Sequence, residues 1–252
     1  MISKRENQDT MSIVFKIFDK TFPHASGKYG TTRFKDTKLS EAVHNNHLAI
    51  MSEMKADKML ITNHVFGTHV VDADRVQDFT AEPDADAAVT TLPGLLLTIQ
   101  TADCVPVMLA SDDDKVIGAA HCSWHTAKDN ILARVVSLMK SKGARNIRAI
   151  IGPAIHQKSY EVDQTFYESI IASESKARNL FASSINQGRF MFDLPGFCLL
   201  KLNQLGITDI HDVCEDTYEH PDKYYSYRRD VHQGNLGEES NILSTIMIEK
   251  LR

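Results

Sequence analysis

The chain has 252 residues, 42% of them hydrophobic and 24% charged, the proportions of a soluble globular protein rather than of a disordered or membrane-embedded one. With 28 Lys and Arg against 33 Asp and Glu, the net charge of −5 excludes a broad basic surface for nucleic acid, although a local anion pocket stays open. No apolar run reaches the roughly 18–20 residues that cross a bilayer, MISKRENQDT is too polar for a signal peptide, and four cysteines without a CxxC pair do not make a disulfide framework. A cytoplasmic protein with no membrane partner is expected.

Residues 1–10 read as a flexible tail and residues 11–252 as a single domain, because no linker rich in Pro, Gly or Ser divides them. MSIVFKIF is a first strand by its β-branched and aromatic content. From Asp36 to Lys58, Leu39, Val43, Ile50 and Met54 recur at helical spacing. MLIT and THVVD flank the turn-like NHVFG as a hairpin-like pair; AAVTT, the turn LPG and LLLTIQ follow, then VPVMLA, the turn SDDD and KVIGAAH. Strands joined by such short turns favour antiparallel pairing. A helix is expected from about Thr126 to Lys142, with Ile131, Leu132, Val135, Leu138 and Met139 on one face and Gly143 as its stop. IRAIIG, SYEV, a helix opening at Asp163, FMFD, a helix in PGFCLLKLNQLG that places Cys198 in the core, DIHDVC and NILSTIMIE complete the chain. The class is α+β.

If VPVMLA and KVIGAA form a hairpin closed at Asp112-Asp113, Cys104 and His121 stand directly opposite each other at its open end. Opposed residues share a sheet face with Cβ atoms about 4.5–5.5 Å apart. That separation suits two ligands of one metal ion, or a thiol whose proton an imidazole takes. A buried thiol and a hydrogen-bonded histidine would also fit. Against that, Asp103 and His121 both interrupt apolar runs at the same sheet end, and buried polar groups cost stability unless something satisfies them. Asp103 is a candidate base or orienting group, or else a turn residue. In SYRRD, Arg228 and Arg229 follow Tyr224, Tyr225 and Tyr227, which sets guanidinium groups beside aromatic faces as a candidate anion-binding site; core tyrosines with one surface ion pair are the alternative. Trp124 reads as a packing anchor.

QTADCVPVML, AAHCSWH, IGPAIHQKSYEV and DTYEHPDKYYSYRRD, in this order between Met59 and Asp230, resemble the successive motifs of the YfiH-type proteins, also called laccase-domain or polyphenol-oxidase family proteins. The resemblance implies a four-layer α/β/β/α sandwich of two related β-rich halves, a monomer, and a zinc site of two histidines and one cysteine. It also implies purine nucleoside phosphorylase activity on adenosine- or inosine-type nucleosides and phosphate, with adenosine deaminase activity beside it. Carried over, Cys104 and His121 are two of the ligands. The third does not carry over directly. Family members show Q-V-H-G where this chain reads His64-Val65-Phe66-Gly67, so Phe66 holds the histidine position and His64, two residues earlier on the same strand face, is the candidate ligand. Where the family has A-G-W-R-G, this chain reads Cys122-Ser123-Trp124-His125-Thr126, and His125 replaces a fixed positive charge at the substrate cleft.

The expected machinery is Cys104, His121 and Asp103 for catalysis, Cys104, His121 and His64 for the metal, and Arg228, Arg229, Tyr227 and His125 for substrate. Zinc is expected ahead of copper, since no set of histidine clusters for a multi-copper centre is visible. Two other functions compete: a cysteine hydrolase editing peptidoglycan precursors, with Cys104 as nucleophile and His121 as its base, and a catalytically impaired purine- or nucleotide-binding homologue in which Phe66 has closed the metal site.

Overall fold

A computed structural model describes residues 12–22, 37–235 and 241–250. The expected tail of residues 1–10 lies outside them, as does the side chain of Leu39. The chain runs β1 (Ile13–Phe18), α1 (Thr37–Met54), β2 (Lys58–Leu60), β3 (Val70–Asp72), β4 (Ala87–Thr90), β5 (Leu95–Thr101), β6 (Val105–Ala110), β7 (Ile117–Cys122), α2 (Trp124–Lys128), α3 (Ile131–Ser141), β8 (Arg148–Ile151), β9 (Glu161–Asp163), α4 (Gln164–Ser173), β10 (Phe181–Ser183), β11 (Arg189–Phe192), α5 (Leu194–Gln204), β12 (Ile210–Asp212), α6 (Tyr227–Gln233) and β13 (Ile242–Ile248).

Two sheets stack face to face: four strands in the order β1-β13-β5-β2, and six in the order β12-β8-β6-β7-β4-β3. A small sheet, β10-β11-β9, stands beside them. Alternation along each strand sorts side chains into layers. Leu95, Leu97 and Ile99 of β5 meet Met108, Ala110, Ile117 and Ala119 between the sheets. Leu96, Leu243 and Met247 face outward and pack with Ile50 and Met54 of α1. On the far side, Val105, Val107, Leu109, Ala120 and Cys122 are covered by Val135 and Met139 of α3 and Phe197, Cys198 and Leu202 of α5. This is the expected α/β/β/α order. Gly118 lets α3 approach β7 closely: a Cβ there would lie 2.9 Å from Val135 Cγ1.

The helix starts follow local capping chemistry. Asp163 accepts from Phe166 N, Asp193 from Gly196 N, Ser123 from Thr126 N and Ser226 from Arg229 N.

Three expectations are corrected. The sheet contains parallel pairs, β2 with β5, β3 with β4, and β12 with β8. β2 and β3 are not a hairpin, and neither are β4 and β5, because each turn between them carries the chain from one sheet to the other. The helix expected over Thr126–Lys142 is two helices, broken where Asn130 takes a left-handed φ of 64°. A third sheet-to-sheet crossing, residues 102–104 between β5 and β6, carries Asp103 at φ 94° and sets Cys104 at the sheet end.

Candidate active site

The β6–β7 hairpin pairs Pro106, not Cys104, with His121. The loop is four residues, Asp112–Lys115, rather than a two-residue turn. Ser111 N donates to Val116 O at 2.9 Å, Ser111 Oγ accepts from Val116 N at 3.0 Å, and Asp114 takes a left-handed φ of 57°. A shift of two residues preserves the face. Cys104 therefore stays on His121's side of the sheet, near enough for its sulfur to act electrostatically on the imidazole.

A residue not singled out in the sequence completes this contact. Asp86, just before β4, accepts from His121 Nδ1 at 2.8 Å, while His121 N donates to Asp86 O at 2.7 Å. Its other carboxylate oxygen accepts from the backbone N–H of Gly67 at 2.8 Å and of Val65 at 3.2 Å. The 65–67 turn thus forms a backbone cradle around the carboxylate, and Phe66 at its centre takes φ 57°. That turn ends the straight strand on which His64 and Phe66 were expected. The His64 ring instead stacks on His121, centroids 4.1 Å apart and 9° from parallel. Ligand atoms of His64, Asp86 and His121 all lie within 4.8 Å of one another. Phe66 meets His121 edge-on at 5.4 Å and is 55% exposed, so it does not plug the site.

The charges follow from this packing. Burial opposes a charge on His121, but the Cys104 sulfur and the Asp86 carboxylate outweigh it and raise its pKa to about 9. Burial likewise opposes ionisation of Asp86, and the bonds from His121 and Gly67 hold its carboxyl below the usual range. His64 is pushed well below the ordinary histidine value by burial and then by His121, so it is a neutral imidazole.

Asp103 is buried and clamps the C-terminal segment to the crossing: Oδ1 accepts from Thr217 Oγ1 at 2.7 Å and Oδ2 from Arg228 N at 2.7 Å. Burial raises its pKa against those bonds. The two arginines part company. Arg228 donates to Glu161 O at 2.8 Å and lies 5.0 Å over the Tyr160 ring. Arg229, expected to bind an anion, is buried with its guanidinium on the carbonyls of Thr217, Tyr218 and Tyr224 at 2.6–2.9 Å, which ties α6 to the preceding loop. Tyr227 is 65% exposed at the start of α6. His125 is exposed and rests on Trp124, ring centroids 3.5 Å apart. Tyr160, also missed in the sequence, is raised by burial and by nearby Cys104, with Arg228 opposing. Cys198 lies in the core against Cys122, as expected.

The donor set fits a zinc-type ion. His64 Nε2 is buried and has no hydrogen-bond partner among the described residues, an orphan that a metal would satisfy. A neutral imidazole, a second imidazole oriented through Nδ1 by a carboxylate, and a thiol match zinc's preference for N and S ligands. Both oxygens of Asp86 are already engaged, so it orients His121 rather than serving as a ligand.

The sequence matches the family described as multi-copper polyphenol oxidoreductase laccase over residues 23–248. It is 43% identical over 239 residues to a protein of Rickettsia prowazekii named purine nucleoside phosphorylase, covering 94% of this chain and 97% of that one. A Rickettsia conorii protein of the same name is 42% identical, with 94% and 97% covered. Among solved structures, the fold is shared with a Neisseria meningitidis protein (TM-score 0.80, 24% identity, 94% of this chain and 95% of that one). It is shared too with the Bacillus licheniformis hypothetical protein YfiH (TM-score 0.79, 25% identity, 94% and 93%).

Proposed function

Because the chain belongs to the multi-copper polyphenol oxidoreductase laccase family, we propose that it is a zinc-dependent purine nucleoside phosphorylase, the activity named for its Rickettsia relatives, with adenosine deaminase activity at the same site. Residues 11–252 act as one domain, as a monomer in the cytoplasm; among the described residues no helix is long and apolar enough to cross a membrane. The observation that carries the reading is the buried, unpartnered His64 Nε2 beside His121 and Cys104.

In phosphorolysis a phosphate oxygen bonds to C1′ of the ribose, the C1′–N9 bond breaks, and its electron pair leaves with the purine. Cys104, His121 and His64 would hold the ion. Bound there, a zinc ion would supply Lewis-acid chemistry. Asp86 keeps the proton of His121 on Nδ1, leaving Nε2 as the liganding nitrogen. Arg228, with one donor on Glu161 O, supplies the fixed positive charge for phosphate. Asp103 positions that arginine by holding its backbone N–H. Tyr227 and His125 offer exposed rings for the nucleoside.

A cysteine hydrolase is the second reading, because the contacts Cys104 to His121 to Asp86 have the order of a nucleophile, its base and an orienting acid. That reading has no task for His64.

Adenosine or inosine is incubated with zinc-loaded protein with and without phosphate, and the products are separated. Free base with ribose 1-phosphate, formed only when phosphate is present and lost in Cys104→Ala, is expected. Absence of phosphate-dependent base release from protein with bound zinc removes the proposal, and an inactive, zinc-free protein whose Cys104 is alkylated rapidly at neutral pH favours the hydrolase.

A further inference from the structure

The 65–67 turn contains an unexplained choice of residue. Its backbone is accounted for: Val65 N and Gly67 N both reach the Asp86 carboxylate, and that cradle needs the left-handed φ of 57° at position 66. Glycine adopts this conformation freely, whereas a side chain crowds the neighbouring carbonyl. The glycine stands one position later and a phenylalanine occupies the strained place. Its ring is then left 55% exposed, next to Val65 at 47%. Backbone strain and an exposed phenyl group are both costs to the folded protein. Tyr227, an exposed aromatic next to Arg228, lies in helix α6 and has a hydroxyl that water can solvate. Phe66 differs also in its neighbour, since its ring meets the His121 imidazole at 5.4 Å and 72°.

Taking the proposed function as given, the geometry points to Phe66 as the specificity residue that stacks on the purine base of the nucleoside and delivers it to His121 and Cys104. A flat heteroaromatic ring placed against the exposed phenyl covers the apolar surface, and every purine has a π-face to offer whatever its exocyclic groups. Phe66 therefore selects for a planar base without discriminating adenine from hypoxanthine.

The test compares Phe66→Leu, which keeps apolar cover but loses the ring, with Phe66→Trp, which keeps an aromatic face, and with Ile185→Ala at the tip of the β10–β11 loop. Nucleoside KM, phosphate KM and kcat are measured, along with adenosine binding by calorimetry without phosphate. Phe66→Leu is expected to raise nucleoside KM and weaken adenosine binding at least fivefold, as loss of a base–aromatic stack does. Its phosphate KM and kcat stay within twofold, and Phe66→Trp and Ile185→Ala bind like the parent. Adenosine binding unchanged in Phe66→Leu, or no adenosine binding by the parent, overturns the inference. Ring-dependent binding by a parent protein that releases no base would instead leave the stack standing and remove phosphorolysis.

Discussion

Asp86→Asn removes one charge and almost no volume at the point where the 65–67 turn, β4 and β7 meet. The carboxylate is fully buried and receives three N–H groups, from His121 at 2.8 Å, Gly67 at 2.8 Å and Val65 at 3.2 Å. Hydrogen bonds to a charged group contribute about 1.5–3 kcal/mol each. An amide has one acceptor oxygen and cannot serve both sides. If that oxygen keeps the two backbone donors, the amide N–H points at His121 Nδ1, makes it an acceptor and moves the ring proton to Nε2, the nitrogen facing Cys104. If the amide is flipped, Gly67 N and Val65 N face another donor. The expected loss is about 2–3 kcal/mol, which for a chain of this size is a fall in Tm of roughly 5–10 °C. Zinc affinity falls by about 10–100-fold, as for other lost carboxylate partners of a liganding histidine. Metal-free protein gives a separate signal, since the His121 pKa of about 9 rests partly on Asp86 and must fall in the variant. Competition against a chelator, thermal melting and NMR titration of the imidazole measure the three. A metal-free variant that still titrates near 9 and binds zinc within twofold of the parent refutes the assignment of Asp86.

Cys104→Ala is expected to lose bound zinc and phosphorolysis while melting within a few degrees of the parent, because Cys104 is only half-buried; metal analysis and calorimetry check this. Arg229→Ala breaks contacts to three carbonyls and costs about 3 kcal/mol or more in urea unfolding, whereas Arg228→Ala costs under about 1 kcal/mol and raises the phosphate KM tenfold or more. Asp74, held to a pKa of about 2 by Lys142, Thr90 and Thr91 against the effect of burial, has a folded pKa below its unfolded value of 3.8. Its contribution, about 2 kcal/mol, is present above the unfolded pKa and is lost as pH falls from about 5 to about 2; Asp74→Asn should flatten that limb of the acid-unfolding curve.

Much of the layered fold is legible in strand alternation and helix caps. Leu95, Leu97 and Ile99 against Leu96 already separate two faces, and Asp163 and Gly143 mark helix ends where the structure has them. What sequence cannot carry is partner choice. The LPG and NHVFG turns look like hairpin turns but pass between sheets, since a turn's local chemistry does not say whether the next strand pairs or crosses. The Cys104–His121 contact survives a wrong register only because the error was an even number of residues. Asp86 hides in an acidic, loop-like stretch, and its role depends on a histidine 35 residues away. His64 reaches the site through the left-handed turn at Phe66, which a strand extrapolation misses. Arginine's fork suits backbone carbonyls as well as phosphate, so only the fold separates Arg229 from Arg228.

The crossing at 102–104 has a thermodynamic consequence. Cys104 sits where one sheet hands the chain to the other, with Asp103 O accepting from Ile155 N and its carboxylate holding Thr217 and Arg228. The groups gathered there, His64, Asp86, Cys104, His121 and Arg228, come from separate loops and strand ends that both sheets must bring together. Occupancy by metal or nucleoside is thus linked to unfolding of the whole molecule, and each tenfold excess of ligand over its Kd delays melting by about 1.4 kcal/mol of added stability.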